Sequence, residues 1–185
     1  MNARISHQGG TSRRWLACGS RDGFTLVEIL IVVLILGILA AIVLPAFSDV
    51  TRLSLENSLK DNLKDLRTII EIYYHEHDLP PGYPDGDPEA DPTADAFIEQ
   101  LTSFSNALGE TSDTKTEAFR YGPYLREFPP NPVTAKGGVL IVDGTGDFPD
   151  PDDDADYGWM YQPQTRRILP NKEGTMEDGT VFVEL

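Results

Sequence analysis

Three groups of residues in this 185-residue chain have the types and spacing to do chemistry. Glu28 is a carboxylate inside an otherwise apolar run from Phe24 to Phe47, in which only Thr25 and Glu28 are plainly polar. A charge at membrane depth costs roughly 2.5–3.5 kcal/mol near the centre on insertion scales, so it calls for a partner of opposite sign. The segment DGTGDFPDPDDDADYG crowds Asp143, Asp147, Asp150, Asp152, Asp153, Asp154 and Asp156 together. A hard cation such as Ca²⁺, which takes six to eight oxygen ligands, would relieve their mutual repulsion, whereas a solvated acidic loop is the plainer reading. The spacing is not that of an EF-hand. His75 and His77 flank Glu76, but residues two apart on a helix face different ways and do not chelate together there, so a surface role at a helix end is expected.

No catalytic constellation accompanies these groups: the sequence has no Gly-x-Ser-x-Gly elbow and no phosphate-binding glycine loop. The one cysteine, Cys18, has no intrachain partner for a disulfide. Residues 1–23 carry four arginines against Asp22, and the remainder carries 11 basic and 29 acidic residues, a formal charge of −18. So acidic a chain repels phosphate backbones, and no nucleic-acid partner is expected.

The element that must position Glu28 is a helix. Phe24–Phe47 would reach roughly 36 Å as a helix, long enough to cross a bilayer. Arg13, Arg14 and Arg21 before it and the acidic bulk after it place the N-terminus in the cytoplasm. A simple signal anchor explains the hydropathy but leaves Glu28 without a purpose.

Gly23-Phe24-Thr25-Leu26-Val27-Glu28, a following apolar run and then Pro45 resemble the N-terminal signature of type IV pilins and type II secretion pseudopilins. The resemblance implies cleavage by prepilin peptidase between Gly23 and Phe24, N-methylation of Phe24, and loss of residues 1–23 as a leader. It implies further that Glu28 pairs with the Phe24 amine of a neighbouring subunit during assembly, an attraction that a low-dielectric layer strengthens. The partners it implies are a homo-oligomeric filament, other pseudopilins, an inner-membrane assembly platform, and membrane lipid before assembly. A structural subunit is the expectation, with a membrane-tethered enzyme as the alternative from another class.

Beyond the apolar run, Pro45 is expected to interrupt the helix with a kink or a melted segment. Leu59, Leu63, Leu66, Ile70 and Tyr73 recur at helical spacing, predicting an amphipathic helix over residues 48–77. DLPPGYPDGDPEADPTAD must end it in a loop, with Asp85–Asp95 a flexible solvated connection. Phe97, Ile98, Leu101, Phe104 and Leu108 then predict a helix from Ala94 to Leu108. YGPYLREFPPNP, with Tyr124-Leu125 and Phe128 before prolines, resembles the approach to the sheet in the major pseudopilin of type II secretion, a family that binds calcium in a C-terminal loop. That resemblance adds weight to a calcium site drawn from Asp143, Asp147, Asp150, Asp152 and Asp154. Strands are predicted at Gly138–Val142, Gly158–Gln162 and Arg167–Leu169, the last two pairing back across Pro163-Gln164-Thr165, with Thr180–Glu184 as an edge.

The expected organisation is α+β: leader 1–23, membrane or filament-core helix 24–47, amphipathic helix 48–77, and a periplasmic domain 78–185 with a small antiparallel sheet. The leading function is a subunit of a type II secretion pseudopilus in the inner membrane. The alternative is a type IV pilin for adhesion, motility or DNA uptake.

Overall fold

A computed structural model describes residues 23–185, apart from the side chains of residues 42–49. Cys18 and the basic leader up to residue 22 lie outside the described residues. The chain divides into two units at the Leu44–Pro45 boundary. Helix α1, Leu26–His77, is assigned without a break, so the melted segment expected at Pro45 is absent. Proline removes only one amide hydrogen bond, and the residues on either side are good helix formers.

In the first unit every described side chain from Phe24 to Ala41 is exposed, with Phe24 and Leu26 the most open. Among the described residues no helix is long and apolar enough to cross a membrane. The crossing expected over Phe24–Phe47 includes residues whose side chains lie outside those described.

The second unit, Pro45–Leu185, holds an α+β domain built on the later half of α1. The predicted stripe is its spine: Leu59, Leu63, Leu66, Ile70 and Tyr73 are all buried, and Leu59, Leu66, Ile70 and Tyr73 expose nothing. The helix ends where Asp78 turns left-handed, φ 54°, while its amide still donates to the Tyr74 carbonyl. A following 3₁₀ turn, Pro84–Gly86, is tied down by Gln100, whose Nε2 donates to the Tyr83 and Gly109 carbonyls and whose Oε1 accepts from the Gly82 amide.

Helix α2 spans Ala94–Thr102, shorter than predicted. Thr93 caps its start by accepting from the Ala96 amide, and Phe97 and Leu101 face the core. After Ser103 the chain instead forms strand β1, Phe104–Ser105, antiparallel to β2, Thr111–Ser112. The turn between them has its own chemistry: Asn106 Oδ1 accepts from the Leu108 and Glu110 amides, and Gly109 sits at φ 91°. Asx bonding and a positive φ favour a turn over another helical turn, which leaves Leu108 67% exposed at its tip.

The main sheet has the order β3-β4-β5, with β3 at Gly138–Ile141, β4 at Tyr157–Gln162 and β5 at Arg167–Pro170. β4 and β5 form the predicted antiparallel pair across a 3₁₀ turn at Pro163–Thr165. β3 pairs with β4 in parallel, against the wholly antiparallel expectation. Parallel neighbours need a crossover of about a dozen residues or more, and the acidic segment 142–156 supplies that length. Alternation along β4 puts Trp159 and Tyr161 into the core beside α1 and α2, with Met160 buried on the other face. Phe97 stacks on Tyr161 at 4.2 Å between ring centres and meets Phe128 edge-on at 5.7 Å. The edge strand expected at Thr180–Glu184 is instead an isolated bridge, Thr175 to Val181, followed by a 3₁₀ turn, Phe182–Glu184, that buries Phe182. Its carbonyls and amides close locally, with the Glu184 amide donating to the Val181 carbonyl.

Candidate functional site

The residues that sequence singled out most sharply lie at the start of α1. Gly23, Phe24 and Thr25 are non-helical and exposed, and no atom lies within 4 Å of where a Gly23 side chain would begin. The Gly23–Phe24 bond therefore sits in exposed, non-helical backbone just ahead of the first helical turn. The first amide-to-carbonyl bond of the helix runs from Ile29 to Thr25, which makes Thr25 the N-cap and Glu28 the third helical residue.

Thr25 and Glu28 satisfy each other. The Thr25 amide and hydroxyl both donate to Glu28 Oε2 at 2.8 Å, and the Glu28 amide donates back to Thr25 Oγ1 at 3.2 Å. This is a capping box, and it also places the carboxylate at the positive end of the helix dipole. Hydropathy marks Thr25 only as a polar exception in an apolar run; the Thr-x-x-Glu spacing is the sequence signal for this task. Both groups are exposed, so Glu28 Oε1 remains open to a further donor.

The acidic segment 142–156 places its carboxylates differently from the expected metal set. Among the described residues no three His, Cys, Asp or Glu side chains are disposed to hold a metal ion. Asp143 accepts from Gln164 Nε2 at 2.7 Å, and Asp152 Oδ1 accepts from the Asp154 amide at 2.9 Å. Asp147, Asp150 and Asp154 belong to no such group. The best-held carboxylate is Asp153, which was outside the expected set. It pairs with Lys172 and accepts from the Glu173 amide, and these bonds hold it below the usual aspartate range. Buried Asn171 fixes the same stretch, accepting from the Asp152 amide at 2.8 Å and donating to the Asp152 and Tyr157 carbonyls.

The two histidines part company. His75 is exposed near Tyr74, whereas His77 is buried, against the surface role expected for it. His77 stacks on Tyr73 at 4.0 Å, with Nδ1 2.9 Å from the Tyr73 carbonyl and Nε2 3.0 Å from Ser105 Oγ. A carbonyl can only accept, so Nδ1 carries a proton and the ring joins α1 to β1. Beside it, Tyr124 donates its hydroxyl to the Glu76 carboxylate, and burial with that bond pushes the phenol far above its ordinary value.

Residues 19–44 match the prokaryotic N-terminal methylation motif, which covers the Gly23–Phe24 junction, Thr25 and Glu28. The chain is also 46% identical over 56 residues to the type IV major pilin protein PilA of Myxococcus xanthus (strain DK1622). That similarity covers 30% of this chain and 26% of the Myxococcus pilin, so the likeness spans about a quarter of that relative. No solved structure matches the chain. A methylation motif over the capping box, a segment shared with a major pilin, and an α+β domain on the later half of one long N-terminal helix make the chain similar to type IV pilin-like proteins.

Proposed function

We propose that this chain is the subunit of a homo-oligomeric type IV pilus filament. It is made as a precursor, cut by prepilin peptidase between Gly23 and Phe24, methylated on the new Phe24 amine, and stored in the inner membrane through Phe24–Phe47. Residues 78–185 then face the periplasm until an assembly platform draws the subunit into the filament. The observation that supports this reading most is the methylation motif lying across an exposed, non-helical Gly23–Phe24 bond, with Glu28 Oε1 open one helical turn later.

Type IV pilin-like proteins form homo-oligomeric filaments and are substrates of prepilin peptidase. The two charges of the proposed contact, the Glu28 carboxylate and a neighbour's Phe24 amine, attract strongly in a low-dielectric layer and are each costly there alone. The secretion-pseudopilus reading gives way to the pilus reading because the similar relative is a type IV major pilin. A structural role accords with the family.

Co-expression with a prepilin peptidase tests the reading. Mass spectrometry is expected to show a chain beginning at Phe24 and carrying one added methyl group. A product that retains residues 1–23, or one cut elsewhere, overturns it.

A further inference from the structure

The C-terminal turn of the chain is fastened to α1 by side chains and not by a sheet. It runs between Gly174 and Gly179, both at positive φ, 88° and 84°, where glycine is unstrained. It closes on itself through the Thr175–Val181 bridge, with the Met176 amide donating to the Thr180 carbonyl at 2.8 Å. The Met176 side chain is buried in the core cluster.

On the helix side, Glu56 is almost wholly buried although it carries a charge, its side chain 4% exposed. Its Oε1 accepts from Arg52 Nε at 2.9 Å and its Oε2 from the Glu177 amide at 3.0 Å. Arg52 Nη2 in turn donates to the Thr175 carbonyl at 3.1 Å. The pair thus holds the main chain on both sides of Met176, so the grip depends on the path of the backbone and little on its side chains. One turn along α1, Lys60 pairs with Asp178 at 2.7 Å. A buried carboxylate is stable only while its partners stay in place, which makes the closed position all-or-none at Glu56.

We infer that residues 174–181 are a strap that opens and closes over α1 as a unit, latched by Glu56 and Lys60. Opening it breaks the two main-chain contacts and one exposed ion pair and withdraws Met176, but it breaks no bond of the β3-β4-β5 sheet. It therefore opens more readily than the domain unfolds. Opening bares Glu56, which lies on α1 among the already exposed Val50, Leu53 and Leu55.

Hydrogen exchange read by mass spectrometry on the full chain in detergent micelles tests the latch. In Glu56→Ala the amides of residues 175–181 are expected to exchange roughly tenfold faster or more, as loss of a charge-assisted hydrogen bond implies. In Lys60→Met they are expected to exchange a few-fold faster, and in both variants the β4 amides keep their wild-type rates. Strap amides unchanged in both variants overturn the inference, as does acceleration of strap and β4 by the same factor. If Glu56→Ala does not fold, Lys60→Met alone decides between the same results.

Discussion

Thr25 and Glu28 hold each other at the start of α1 through three hydrogen bonds, two of them received by a single oxygen, Glu28 Oε2. The carboxylate that looked unpartnered within the apolar run is thus half-satisfied by its own helix, and its other oxygen is open. Glu28→Ala is expected to be processed and inserted normally but to assemble poorly. Filament yield in a reconstituted system, compared with the fraction cleaved at Gly23, checks this; normal filament formation would count against the assembly role.

Thr25→Ala should act more mildly. It loses the N-cap, a change that costs about 1 kcal/mol, and leaves the Glu28 carboxylate in place. Reduced helicity of a peptide spanning residues 24–44 in micelles, measured by circular dichroism against the parent peptide, is the expected result.

Leu66 exposes nothing and Leu53 is 48% exposed on the same helix. Leu66→Ala is expected to destabilise the domain by about 2–5 kcal/mol, because a buried cavity is left behind. Leu53→Ala should change urea stability of the unassembled chain by roughly 0.5 kcal/mol or less.

Burial raises the phenols of Tyr73, Tyr124 and Tyr161, with the Glu76 carboxylate adding to the shift at Tyr124. In the folded state these groups keep their protons above the pH at which unfolded tyrosine, near 10, gives them up. The folded state then binds more protons, so their contribution to stability is complete below about pH 10 and falls as pH rises beyond it. Urea midpoints measured from about pH 8 to 11 should show the fall. Tyr161→Phe should make the fall shallower, with Tyr73 and Tyr124 still contributing, while sparing neutral-pH stability, since the Tyr161 hydroxyl has no hydrogen-bond partner among the described residues.

Gly158 lies where a side chain would begin 2.0 Å from the Lys136 carbonyl oxygen, and its own carbonyl accepts from Asn131 Nδ2 at 3.0 Å. Gly158→Ala must push β4 away from the 131–136 turn, at a cost of about 1–3 kcal/mol or more. A lowered melting temperature with the tryptophan emission of Trp159 shifted to the red is the expected signature.

Much of this was legible without coordinates because it repeats along the chain. The stripe from Leu59 to Tyr73 declares a buried helix face by its spacing alone, and the Pro163-Gln164-Thr165 turn brings β4 and β5 together as neighbours in sequence. The Thr25–Glu28 capping box and the Asn106–Gly109 turn that follows the end of α2 at Thr102 are local chemistry that hydropathy spacing does not display. Burial of His77 and Glu56 was not legible. Each is polar and sits on a helix, and only residues far along the chain, Ser105 for one and Glu177 for the other, give it a hydrogen-bond partner.

By itself, then, the sequence determined the helix, its apolar face, the Gly23–Phe24 junction and the charge at Glu28, because all of these are carried by residues close in the chain. Tertiary structure alone decided that β3 lies parallel to β4, that segment 142–156 is the crossover between them, and that the turn at 174–181 is held to α1. The reason is the same in each case: local periodicity fixes which face of an element is apolar, whereas pairing direction and buried charge depend on which distant groups reach that face once the core has closed.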